Sequence, residues 1–199
     1  MPTLLLVRHG ETDWNREGRY QGQADPPLNA RGRAQAHALG QRLQAEGWRP
    51  EVIYTSPLRR AAETAAILQT YLPAPVRVEP RLMEIHQGAW QGLLVDEIAQ
   101  RWPQRFQAWE TAPWTVRPPG GESLAEVRDR VYEAIDELVH RHPDDVVLVV
   151  SHRLPLALLK IRYQGYSPDQ VRTIPIPNAG YEVLELPSKI QGHQTEQRR

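Results

Sequence analysis

Two histidines stand directly behind apolar runs in this 199-residue chain, and each has an arginine beside it. His9 follows Thr3 to Val7 within Arg8-His9-Gly10, and His152 follows Val146 to Val150 within Ser151-His152-Arg153. A third polar cluster, Ser56 to Arg60, follows the run Val52-Ile53-Tyr54-Thr55. Continuous apolar runs of this length suit strands buried on both faces, and in open parallel sheets ligands sit beyond the carboxyl ends of the strands. Two imidazoles, several guanidiniums and a helix start at such ends suit a phosphate. Arginine matches phosphoryl oxygens bidentately, and helix N-termini attract anions.

Each piece alone has a plainer reading. A histidine behind a strand is more often a loop residue bonded to a carbonyl, and paired surface arginines are usually solvated. Gly10 would then serve only a turn that needs positive φ. Their conjunction at three strand ends favours a site.

The elements that must position these residues can be read along the chain. Leu28 to Trp48 reads as a helix stopped near Gly47, with Leu39 and Leu43 on one face. Ser56-Pro57 reads as an N-cap with proline at the first helical position, opening a helix toward Tyr71. Val76 to Val78 is a short strand, and Ser123 with Glu126 forms a capping box ahead of a helix whose buried stripe includes Val127, Val131 and Ile135. Asp145 precedes the Val146 strand, and Pro155 starts a helix through Leu159. Arg172 to Ile176 and Tyr181 to Leu186 read as final strands. Strands alternating with helices predict an α/β protein. The expected form is a three-layer α/β/α sandwich with a mostly parallel central sheet. Residues 88–119 differ in kind: Trp90, Trp102, Trp109 and Trp114 lie among prolines and read as a helical flap. The expected organisation is one catalytic domain over residues 1–187 and a disordered tail over 188–199.

Composition narrows the function. Lys+Arg and Asp+Glu both total 24, so no net charge favours nucleic acid or a membrane surface. No cysteine is present, which removes thiol nucleophiles and thiolate metal sites. No apolar run is long enough to span a bilayer. A cytoplasmic protein with no nucleic-acid or membrane partner is expected, and a homo-oligomer is compatible with it.

Leu6-Val7-Arg8-His9-Gly10-Glu11-Thr12, with Trp14-Asn15 after it, resembles the signature of the histidine phosphatase superfamily, the phosphoglycerate mutase-like enzymes. The resemblance continues through Gln21-Gly22, Pro27-Leu28-Asn29, Tyr54 to Ala61, Arg81 to Gly88, Gly120 to Ser123 and Val149 to His152. It implies that His9 attacks phosphorus and becomes a phosphohistidine. Arg8, Arg60 and His152 would bind the phosphoryl oxygens, and Glu84 would donate the proton. Asn15 and Gln21 match positions near the phosphate. Arg60 is preferred to Arg59 because the family's arginine directly precedes Ala-x-x-Thr, here Ala61-Ala62-Glu63-Thr64.

Elementary chemistry agrees with these roles. Nearby arginines keep a histidine neutral and stabilise charge on the phosphoryl group in flight. A carboxyl holding its proton can protonate the leaving alkoxide. No metal or cofactor is needed. A His9/His152 metal pair lacks a surrounding cluster with ligand spacing.

The short chain and Ile85-His86-Gln87 after Glu84 are similar to the broad-specificity and α-ribazole phosphatase branch. The expected activity is a metal-independent phosphomonoesterase of histidine acid phosphatase type, acting on small phosphorylated metabolites. A cofactor-dependent phosphoglycerate mutase and a non-catalytic phosphate-binding module are the alternatives. Arg153 stands where many relatives have glycine. It would either contact a second anionic group or lie solvated.

Overall fold

The computed structural model describes residues 1–186, so the tail expected over 188–199 lies outside the described residues. Five strands form one sheet in the order β3-β2-β4-β1-β5. They are β1 (Thr3–Arg8), β2 (Val52–Thr55), β3 (Val76–Val78), β4 (Val146–Ser151) and β5 (Tyr181–Glu185). All neighbours pair in parallel except β5, which runs antiparallel to β1 along one edge.

Alternation along the strands supplies both faces of the sandwich. Leu5, Val7, Ile53, Leu148 and Val150 point to a layer formed by α2 (Ala30–Ala45) and α3 (Arg59–Gln69). Leu4, Leu6, Tyr54, Val147 and Val149 point to the opposite layer. That layer contains α4 (Val95–Arg101), α5 (Pro103–Thr111), α6 (Leu124–Arg141) and α7 (Arg153–Gln164). A further short helix, α1 (Asp13–Glu17), follows β1. The expected three-layer α/β/α arrangement is present. No described helix is long and apolar enough to cross a membrane.

Residues 88–119 fold onto the second face as short helices. Trp90 and Trp109 are buried there, with ring centroids 5.9 Å apart in an edge-to-face arrangement, and Phe106 packs against Trp90 at 6.0 Å. Aromatic pairs in this geometry add to plain area burial. The flap therefore packs on the core through Trp90, Ile98, Phe106, Trp109 and Val116, and of its four tryptophans Trp109 is the one that reaches the cleft described below.

Several local expectations need correction. Ser56 does not cap a helix: α3 begins at Arg59, Leu58 is extended, and the Arg59 N–H is capped by Asp25 Oδ1 at 2.6 Å from elsewhere in the chain. Ser56 is instead used by His152. Arg172 to Ile176 form turns rather than a strand, since Pro175 and Pro177 remove the N–H groups a ladder needs. The helix expected from Pro155 starts earlier, at Arg153, with His152 as N-cap. Pro155 fits in its first turn, where the N–H has no intrahelical partner. The Leu28 to Trp48 helix is shorter at both ends, capped by Asn29 Oδ1 on Gly32 N–H at 2.8 Å and closed before Gly47 at φ 83°.

Candidate active site

Register decides which residues meet. Arg8 pairs with Ser151 across β1 and β4, and Thr55 pairs with Val150 across β2 and β4. The residues that follow, His9, His152 and Ser56, therefore emerge side by side at the carboxyl edge. The His9 and His152 rings lie 5.1 Å apart. Gly10 does not adopt positive φ. A Cβ there would come within 2.4 Å of the Gly32 carbonyl, so the glycine permits the β1 loop to press against the start of α2.

His9 is almost fully buried, and its Nδ1 lies 2.7 Å from the Gly10 carbonyl oxygen. A carbonyl only accepts, so Nδ1 carries the hydrogen and Nε2 keeps its lone pair. Burial, then the charges of Arg60 and Arg8, hold the ring's pKa well below the usual histidine value. The result is a neutral imidazole with a fixed tautomer.

The guanidiniums around it are held by carbonyls, which position charge without cancelling it. Arg8 Nη1 donates to Ile176 O at 2.6 Å. Arg60 Nη1 and Nη2 donate to Ala24 O at 2.8 Å and Gly22 O at 2.6 Å. Desolvation lowers the pKa of each to about 10, so both remain cationic at neutral pH. Arg59 points outward toward Glu63, with its side chain 60% exposed. The structure thus brings Arg60, not Arg59, to His9.

His152 is fully buried, and its Nε2 lies 2.8 Å from Ser56 Oγ. That oxygen accepts the Leu58 N–H at 3.3 Å, so its own hydrogen is available to Nε2. The imidazole hydrogen then sits on Nδ1. Burial, followed by Arg60, His9 and Arg8, depresses this ring's pKa strongly too. His152 Nδ1, Arg8 Nε and Arg60 Nε are all buried without a hydrogen-bond partner. Each such group left unsatisfied costs about 1–3 kcal/mol, so three in one cluster mark a place for an anion.

Glu84 lines the same cleft. Its Oε1 accepts the Ile85 N–H at 2.9 Å, and its Oε2 lies 3.4 Å from the Leu154 N–H at the start of α7. The backbone beneath it is clamped by Arg130 of α6. Arg130 Nη1 donates to Arg81 O and Met83 O, both at 2.7 Å, and Nη2 donates to Glu84 O at 3.0 Å. Glu122 completes the clamp, pairing with Arg130 at 2.9 Å and accepting the His86 N–H at 2.8 Å.

Gln21 also lines the cleft, and its Oε1 accepts from Thr12 Oγ1 at 2.9 Å. Asn15 does not line it. Its Oδ1 accepts the Thr12 N–H at 3.1 Å and lies 3.3 Å from Asn178 Nδ2, which places it behind the His9 loop. Sequence reasoning missed Tyr20, Gln87 and Arg172 on the cleft wall, and Asn178 and Ala179 behind it. Asn178 Nδ2 and Ala179 N both donate to His9 O, at 3.1 and 3.2 Å. Ala179 does so at φ 50°, a left-handed conformation that costs a non-glycine residue about 1–2 kcal/mol. An arrangement of neutral imidazole, unpaired guanidiniums and adjacent carboxyl is equipped for nucleophilic phosphoryl transfer. Among the described residues no group of three or more His, Asp or Glu side chains could hold a metal ion.

Comparison with known proteins gives the same direction. The sequence profile of the histidine phosphatase superfamily (branch 1) matches residues 4–192. Phosphoserine phosphatase 1 of Hydrogenobacter thermophilus is 39% identical over 94% of this chain and 87% of its own length. A 2,3-bisphosphoglycerate-dependent phosphoglycerate mutase of Bartonella henselae is 33% identical over 85% of this chain and 84% of its own. Among solved structures, the α-ribazole phosphatase of Shigella flexneri superposes with a TM-score of 0.84 at 29% identity, covering 93% of this chain and 91% of that one.

Proposed function

Because this chain belongs to the histidine phosphatase superfamily, we propose that it is a metal-independent phosphomonoesterase of histidine acid phosphatase type, acting on small phosphorylated metabolites. The observation that carries this reading is the conjunction of a tautomer-fixed, neutral His9 with three buried, unpartnered N–H donors on Arg8, Arg60 and His152.

The lone pair on His9 Nε2 forms the N–P bond as the P–O bond to the leaving group breaks. Arg8, Arg60 and His152 hold the phosphoryl oxygens in flight, and Gln21 borders the same space. Asn15 acts from behind, through Thr12 and Asn178. Glu84 gives its proton to the leaving oxygen and then takes one from the incoming water. Water attacks phosphorus, the P–N bond breaks, and phosphate leaves with the imidazole restored.

A mutase would carry out the same first half-reaction and hand the phosphoryl group to a second hydroxyl. The similarity to α-ribazole and phosphoserine phosphatases favours water as acceptor. Retention of all five groups, His9, Arg8, Arg60, His152 and Glu84, speaks against a non-catalytic binding module. Phosphate release from p-nitrophenyl phosphate tests the proposal. Wild type should turn over, and His9→Ala should lose at least a thousandfold, on the order of what loss of a covalent nucleophile costs. Equal rates for the two would defeat it.

A further inference from the structure

The guanidinium of Arg60 is held by Gly22 O and Ala24 O, the carbonyls on either side of Gln23. Residues 21–27 belong to no helix or strand, so no ladder fixes where those two carbonyls stand. The stretch opens with a turn, in which the Ala24 N–H donates to Gln21 O at 2.9 Å. Beyond that turn, Gln23 supplies the anchorage.

Gln23 is half-buried and does not line the cleft. Its backbone N–H donates to Gln91 Oε1 at 2.9 Å. Its side-chain Nε2 donates to Glu84 O at 3.1 Å and lies 3.4 Å from Glu122 Oε2. Gln91 Oε1 also accepts the N–H of Gln87, a cleft residue, at 3.2 Å. Gly22 permits this approach, since a Cβ there would fall 2.5 Å from Gln91 Oε1. One side chain thus ties the loop that seats Arg60 to the segment that carries Glu84. Arg130 holds Glu84 from the other side, and among the described residues it makes no hydrogen bond to residues 21–24.

We propose that Gln23 is a positioning residue that fixes the separation between Arg60 and Glu84. The phosphorus and the leaving oxygen are one bond apart, so the cation that holds the first and the carboxyl that serves the second must keep a set distance. Errors of about 1 Å in such placements cost up to about 10²-fold in rate. This rests on the phosphomonoesterase reading and adds to it a residue that never touches the substrate.

Gln23→Met keeps the length of the side chain and removes its donor. Two quantities should move together. The inhibition constant of inorganic phosphate, which reports Arg60, should rise about threefold or more. The kcat for glycerol 2-phosphate, which reports Glu84, should fall on the order of tenfold, with p-nitrophenyl phosphate slowed less. Gln23→Lys returns a donor to Glu84 O and the Glu122 carboxylate and should recover much of both. A merely structural role would lower Tm and leave phosphate inhibition and leaving-group dependence at wild-type values. Gln91→Met removes the acceptor of the Gln23 N–H from the other side, should show the same pair of effects, and decides the matter if Gln23→Met does not fold. Wild-type values of both quantities, or a change in only one, overturn the assignment and leave the phosphatase standing. No phosphate released by wild type from any ester, p-nitrophenyl phosphate included, defeats the phosphatase reading and this inference together.

Discussion

A carbonyl oxygen 2.7 Å from His9 Nδ1 selects the tautomer that leaves the Nε2 lone pair free, and in the proposed reaction Nε2 is the nucleophile and Glu84 protonates what leaves. The two demands differ with the leaving group. A nitrophenolate departs with little help, whereas an alkoxide must be protonated as the bond breaks. Glu84→Gln should therefore slow alkyl phosphates by about 10²–10⁴-fold, the usual range for general acid catalysis, and p-nitrophenyl phosphate far less. Steady-state kinetics across esters of graded leaving-group pKa would show this as a steeper dependence in the variant. Parallel losses across the series would remove Glu84 from the donor role. At this scale the sequence was informative: apolar runs ending in Arg8-His9 and Ser151-His152 mark strand ends, and the Ala61 to Thr64 pattern distinguishes Arg60 from Arg59. Ser56 was misread because Ser-Pro has the same local preference whether it caps a helix or, as here, offers its hydroxyl to a histidine 2.8 Å away from a distant strand.

Elements place those residues, and α6 does so at a distance. Arg130 fastens the carbonyls of Arg81, Met83 and Glu84 to Glu122, so the position of the Glu84 carboxyl depends on a helix that does not line the cleft. The residues proposed to hold phosphate, Arg8, Arg60 and His152, are placed instead by β1, by α3 after β2, and by β4. Arg130→Met should thus lower kcat for alkyl phosphates on the order of 10²-fold through misplacement of Glu84, while inhibition by inorganic phosphate stays close to wild type. Loss of phosphate inhibition in that variant would mean that the clamp supports the whole site rather than the donor. Such a clamp is not legible in sequence, because an arginine within an amphipathic helix reads as solvated. The same holds for Arg172 to Ile176, where apolar alternation suggests a strand. Pro175 and Pro177 exclude one, and the segment's contacts with Arg8 and Trp109 exist only in the folded chain.

For the whole molecule, the two apolar clusters share the same strands, Leu4 and Leu6 facing one way and Leu5 and Val7 the other. We propose that residues 1–187 therefore unfold as one unit, flap included. Folding also buries two imidazoles whose pKa values are held well below the usual 6.5. Below that pH the unfolded chain binds protons that the folded one refuses, so the contribution of these two rings is constant above about 6.5 and stability falls as pH drops beneath it. Two such groups contribute a slope of about 2.7 kcal/mol per pH unit. Calorimetry between pH 5 and 8 should show a single transition with Tm falling on the acid side, less steeply in a His9→Gln, His152→Gln double variant. A Tm independent of pH over that window, or two resolved transitions, would contradict this account.

The segment from Arg172 to Ala179 completes a site begun at Arg8. Ile176 O orients Arg8, Asn178 and Ala179 hold the His9 carbonyl, and Arg172 anchors the wall at Trp109. In a chain made from its N-terminus, His9 is synthesised well before the segment that supports it. A ribosome stalled before Ile176 would carry His9 and Arg60 in full, yet neither a seated Arg8 nor a closed cleft. The proposed activity therefore requires the chain through Ala179, long after the residue that would carry the phosphoryl group.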